Sequence, residues 1–149
     1  MAQFDATNNT EAAFGMLATL SGATPAKGNI IDMQGWGSLD LHVQTGTVTD
    51  AGTASGFSFE VQESDTTADA DFTAVADADL IGTEAALTVT DDDADNIVVG
   101  KIGYRGSKRY VRIVATGTTG TNATVCVSAT KGHGAIMGSV SIADNIAAT

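Results

Sequence analysis

From Ile30 onward the side chains alternate apolar and polar with a period of two, the signature of strands buried on one face. That alternation constrains the fold more than any other feature of the chain. Leu39, Leu41 and Val43 alternate with Asp40, His42 and Gln44, and Phe57, Phe59 and Val61 with Ser58, Glu60 and Gln62. Val111, Ile113 and Ala115 alternate with Tyr110, Arg112 and Val114, both sets being usable, and Val125, Val127 and Ala129 with Cys126 and Ser128. Shorter runs cover residues 72–75 and 87–90, and Ile97, Val98, Val99 and Ile102 lead to Tyr104. A last strand alternates Ile136, Gly138, Val140 and Ile142 with Met137, Ser139 and Ser141. Turn chemistry separates the runs. Arg105-Gly-Ser-Lys108 and Gly117-Thr-Thr-Gly120 read as hairpin connections. Seven to eight short strands with turns between them predict an all-β fold, an antiparallel β-sandwich or jelly roll.

The segment before this region has a different period. Ala12, Ala13, Met16, Leu17 and Leu20 fall on one face of a helix, Asn8 and Glu11 resemble a capping pair, and Gly22 can close the end. Residues 1–26 are therefore expected to form an N-terminal arm with a possible short helix, linked through Pro25 to a sandwich domain over residues 27–149. The apolar side of that arm must be covered, as must the apolar end of the chain. Phe14, Met16, Leu17 and Leu20, with Ile136, Met137 and Ile142, are accordingly candidate partner contacts.

Charge excludes several classes of function. The chain of 149 residues carries a net charge of −11, and aromatic residues make up 5% of it. Affinity for nucleic acid comes from neutralising phosphates, so a nucleic-acid partner is not expected. No run reaches the roughly 20 apolar residues of a membrane helix, and the opening Met-Ala-Gln-Phe-Asp lacks the basic and apolar regions of a secretory signal. The charge is uneven: residues 1–100 hold 17 of the acids and only Lys27, whereas residues 101–149 hold six bases and only Asp144. Arg105, Lys108 and Arg109 cluster at one turn, where they either meet acidic groups of a partner or form internal ion pairs. A core this lean is one that neighbouring subunits can complete, so a homo-oligomer is expected.

Little points to catalysis. His42 and His133 stand apart, Cys126 alternates inside a strand, and no nucleophile elbow occurs, so no catalytic residue and no cofactor is assigned. Asp91, Asp92, Asp93 and Asp95 crowd one loop, but they do not match the calcium loop of an EF-hand and read as a solvated acidic turn, with calcium the chemical alternative.

An ordered set of segments carries a resemblance. It consists of residues 27–46 (Lys-Gly-Asn-Ile-Ile-Asp-Met-Gln-Gly-Trp-Gly-Ser and onward), 57–65, 72–80 and 104–114, the last running into Thr116-Gly-Thr. Over residues 27–133 the chain resembles a family of small tailed-bacteriophage virion proteins. The resemblance implies a structural protein that decorates or cements the capsid, with the major capsid protein as partner. Such a protein would be made in the host bacterial cytoplasm and carried on the outer surface of the head, where a trimer fits local three-fold sites. The segments before residue 27 and after Lys131 depart from the family pattern. The rival reading is a tail or fibre component whose sandwich binds a glycan, with Trp36, Tyr104 and Tyr110 the available aromatic platforms and Trp36 equally a packing anchor. A soluble adhesin-like domain is the third.

Overall fold

Most of the alternating runs are extended and bury their apolar sets between two antiparallel sheets. The computed structural model describes residues 9–134. Its strands are β1 (Thr10–Ser21), β2 (Ala26–Lys27), β3 (Ile31–Asp32), β4 (Ser38–Asp50), β5 (Ser58–Ser64), β6 (Thr73–Ala74), β7 (Leu80–Ile81), β8 (Val98–Tyr104), β9 (Tyr110–Thr116) and β10 (Asn122–Gly132). The first sheet has the order β1-β10-β4-β8-β7; the second runs β2-β9-β5-β6, with β3 also pairing β9. Three short 3-10 turns, Asp69–Asp71, Asp77–Asp79 and Glu84–Leu87, lie in the connections. The result is the expected all-β sandwich. Leu39, Leu41 and Val43, flanked in their own sheet by Ile102 and Val127, share one core with Phe57, Val61 and Ile113 of the opposite layer, all essentially inaccessible.

The first correction concerns the N-terminal segment. Residues 10–21 form no helix and no arm: they are an edge strand paired antiparallel to β10 from Thr10↔Gly132 to Ser21↔Asn122. A β-bulge between Phe14 and Met16 explains the misleading period. Ala13 points inward before it and Met16, Ala18 and Leu20 after it, so the phase slip imitates a helical spacing. Gly15 is required there, since a Cβ would sit 2.7 Å from the Val127 carbonyl oxygen. Across the sandwich edge the Asn29 N–H donates to the Gly15 carbonyl at 2.7 Å and ties β1 to the β2–β3 edge.

The second correction concerns connectivity. β8 belongs to the first sheet and β9 to the second, so residues 105–109 arch between sheets and do not close a hairpin. Residues 117–121 arch back from β9 to β10 in the same way. An inward-facing alternation is identical for either partner, which is why the pattern alone suggested hairpins. The runs at 72–75 and 87–90 shrink to a two-residue strand and an isolated Phe57↔Val89 bridge.

Candidate functional site

Three places that the sequence singled out can be examined by geometry: the basic turn, the acidic loops and the N-terminal apolar set. The cations of the basic turn are engaged within the chain. Arg105 donates through Nε and Nη2 to the Ala78 carbonyl at 3.3 and 3.1 Å. Lys108 pairs with Asp65. Arg109 forms a two-pronged pair with Asp32 (3.0 and 2.8 Å) and lies 5.0 Å over the Tyr110 ring. The Arg109 guanidinium holds the Asp32 carboxyl below its usual range, and the Asp65 carboxylate raises the Lys108 ammonium.

Beneath this turn lies Tyr104, 1% exposed. Its hydroxyl donates to Glu63 Oε2 at 2.6 Å and accepts the Lys108 N–H at 3.0 Å, so the ring props the arch from inside. Burial and the Glu63 bond push its ionisation well above the ordinary tyrosine value. Gly106 lies on that ring, and a Cβ there would come within 2.6 Å of its carbons. Tyr104 is therefore a buried strut and offers no platform to a glycan. Trp36 is half-buried, packed against the core, with the Lys131 ammonium 5.3 Å from its ring centre. Met33, Gln34 and Trp36 with residues 106–109 line an open groove of about 340 Å³.

The acidic loops are built into the backbone. Asp95 accepts the Val48 N–H at 2.5 Å, Asp92 the Ala51 N–H at 2.7 Å, and Asp91 the Asp93 N–H at 2.9 Å. Glu84 accepts the Val61 N–H at 2.6 Å, and its burial raises its pKa. Among the described residues no group of three or more His, Cys, Asp or Glu is placed to hold a metal ion. His42 faces outward on β4, while the His133 Nδ1 lies 2.8 Å from the Ser38 hydroxyl.

The N-terminal set is split. Met16 and Leu20, 2% and 1% exposed, are core residues and are unavailable as partner contacts, because the bulge turns them inward. Phe14 and Leu17, 54% and 65% exposed, point outward. Ile136, Met137 and Ile142 lie outside the described residues.

The outer face of the first sheet was not legible as a surface in the sequence. Strand register places Phe14, Ser128, His42 and Lys101 in one row, and Leu17, Cys126, Gln44 and Val98 in the next. A third row contains Asp40, Gly103 and Ile81. The corresponding face of the second sheet is covered: Phe72 packs under Arg112, whose guanidinium lies 4.1 Å from its ring, and Asp69 bridges Lys27 and Arg112. One pole of the sandwich also gathers several features. Thr10 pairs with Gly132 and Gly132 with Ser38, while the neighbouring Leu39 pairs with Tyr104. The start of β1, the end of β10, the 105–109 arch and Trp36 thus share that end.

The geometry defines a two-sheet β-sandwich whose loops are held by their own charged side chains. No protein-family model and no curated protein matches the chain. Among solved structures it is similar to the PBSX exported protein XepA, with a TM-score of 0.49 and 15% identity over 87% of this chain and 39% of that one. It is also similar to the SPBc2 prophage-derived protein YomS, with a TM-score of 0.40 and 10% identity over 82% of this chain and 93% of that one. The chain thus spans well under half the length of XepA.

Proposed function

We propose that this chain is a non-enzymatic structural protein of a tailed-phage particle. It decorates the outer surface of the head and cements the shell by bridging copies of the major capsid protein. The observation that carries this reading is the convergence at one pole. The chain enters β1 and leaves β10 side by side there, so residues 1–8 and 135–149, which include Ile136, Met137 and Ile142, are tethered to the same end as Trp36 and the 105–109 arch. A sandwich that brings both ends of its described chain, Trp36 and the 105–109 arch to one pole is suited to gripping a surface there, with the Asp91–Asp95 loop at the opposite end of β4 turned to solvent. The carboxylates of those loops serve as backbone acceptors, which supports a structural over a catalytic role.

The test is the copy number per purified particle. Hundreds of copies in fixed ratio to the major capsid protein support the reading; a few to a few dozen refute it. Binding to purified shells should fall when residues 1–8 and 135–149 are removed together. Removal of residues 1–24 would be uninformative, because it deletes β1 and with it Met16 and Leu20 from the core.

The groove beside Trp36 favours a second reading, a tail or fibre component that binds a glycan. There an indole, the Gln34 side chain and Arg109, whose guanidinium is held by Asp32, line one concavity, the combination a sugar ring needs for stacking and planar hydrogen bonding. A low copy number together with loss of cell binding in Trp36→Ala would establish it.

A further inference from the structure

We infer that the outer face of the first sheet is an interface between two copies of this chain, packed face to face about a two-fold axis. The inference is independent of the capsid reading and rests on charge and exposure. Of the six large apolar side chains exposed among the described residues, Phe14, Leu17, Ile81 and Val98 lie on this face, 54–71% exposed. Isolated exposed apolar residues are ordinary, but four on one sheet face, with no loop among the described residues laid over them as Phe72 is laid over the other sheet, form a docking surface.

Charge selects the occupant. The chain carries −11, so two copies repel over most of their surfaces. In the three rows of this face the full charges are Asp40 and Lys101, which cancel. Every other lysine and arginine has a carboxylate or carbonyl partner; Lys101 has none among the described residues. Among the described residues Asp40 likewise has no cation partner. The two occupy diagonal positions on β4 and β8, since Asp40 pairs with Gly103 and Lys101 with His42. A two-fold axis through such a face sets the Asp40 of each copy against the Lys101 of the other, and the contact is self-complementary. The apolar residues close around that pair of ion pairs and exclude water from them.

Sedimentation velocity on the full chain across a concentration series reads the mass. Cys126, half-buried on this face between Leu17 and Gln44, reports on cover through its reaction with a thiol reagent. The expected result is a dimer in which Cys126 reacts more slowly as concentration rises. Leu17→Glu and Lys101→Asp should each weaken it by roughly tenfold or more, the effect of losing a central anchor. The double exchange Asp40→Lys with Lys101→Asp should restore pairing, and unchanged circular dichroism shows that the variants fold. The inference is overturned by a monomer throughout, by a trimer, or by a dimer indifferent to both single changes. It is equally overturned if Cys126 is protected in a monomer, which would mean that the chain's own terminal segments cover the face.

Discussion

Replacing Glu84 isolates a carboxylate that acts as a piece of strand. β5 pairs with β9 along one edge, but at Val61 its other edge has only side-chain and loop partners: the Val61 N–H donates to Glu84 Oε1 at 2.6 Å and its carbonyl accepts the Val75 N–H at 2.9 Å. Val61 is fully buried, so Glu84→Ala leaves an amide without an acceptor, at a cost of about 1–3 kcal/mol. For a domain of this size that is a fall in Tm of about 3–10 °C. Glu84→Gln keeps the accepting oxygen and removes the charge. Burial, and then repulsion from Glu60 and Asp77, raise the pKa of Glu84 above the ordinary 4.5, against the opposing pull of the Val61 bond. Between 4.5 and the raised value the folded chain binds more protons at this site than the unfolded chain. Stability therefore falls as pH rises through that window and stays flat above it. Thermal melts from pH 4 to 8 should show Glu84→Gln at or above the parent, with its advantage growing as pH rises, and Glu84→Ala below both at pH 7. Equal melting of the alanine and glutamine variants at pH 7, or rapid hydrogen exchange at Val61 in the parent, would refute the surrogate-strand argument.

Three further outcomes are expected. At concentrations where the chain is monomeric, Met16→Ala should cost about 2–5 kcal/mol and Leu17→Ala less than about 0.5 kcal/mol, a contrast in urea unfolding that a helix presenting both residues on one face would not produce. Gly28→Ala sets a Cβ 2.7 Å from both the Gly15 and the Ile113 carbonyl oxygens and should break the seam between the sheets, with faster exchange at Asn29 and a loss of about 1–3 kcal/mol. Asp32 and Asp69 are held below the ordinary 3.8 by Arg109 and by Lys27 and Arg112 respectively. Their contribution is complete above that value and is lost as pH falls through their lowered folded values; Arg109→Gln and Arg112→Gln should each blunt this acid limb in a pH titration of unfolding.

The sandwich class, the strand-forming runs and their buried faces were determined by the sequence itself. Leu39-Leu41-Val43 and Phe57-Phe59-Val61 lie inward as their alternation requires, because successive side chains of a strand point to opposite faces whatever the partner. Pairing is another matter. Nothing local distinguishes a hairpin from an arch, so the assignment of β8 and β9 to different sheets was decided by the tertiary structure, as was the role of Tyr104 beneath their connection. The bulge at Gly15 shifted one strand by a residue and made it imitate a helix; contact with Val127 revealed its nature. Sequence left Arg105, Lys108 and Arg109 open between a partner's acidic groups and internal ion pairs, because the partners the fold gives them, Ala78, Asp65 and Asp32, are distant in sequence. The charge-balanced, partly apolar outer face was hidden for the same reason: Phe14, Lys101 and Ile81 come to share one surface only when the sheet aligns β1, β4, β7, β8 and β10. Periodicity along a chain is a local property, whereas a surface is assembled from segments that only folding brings together.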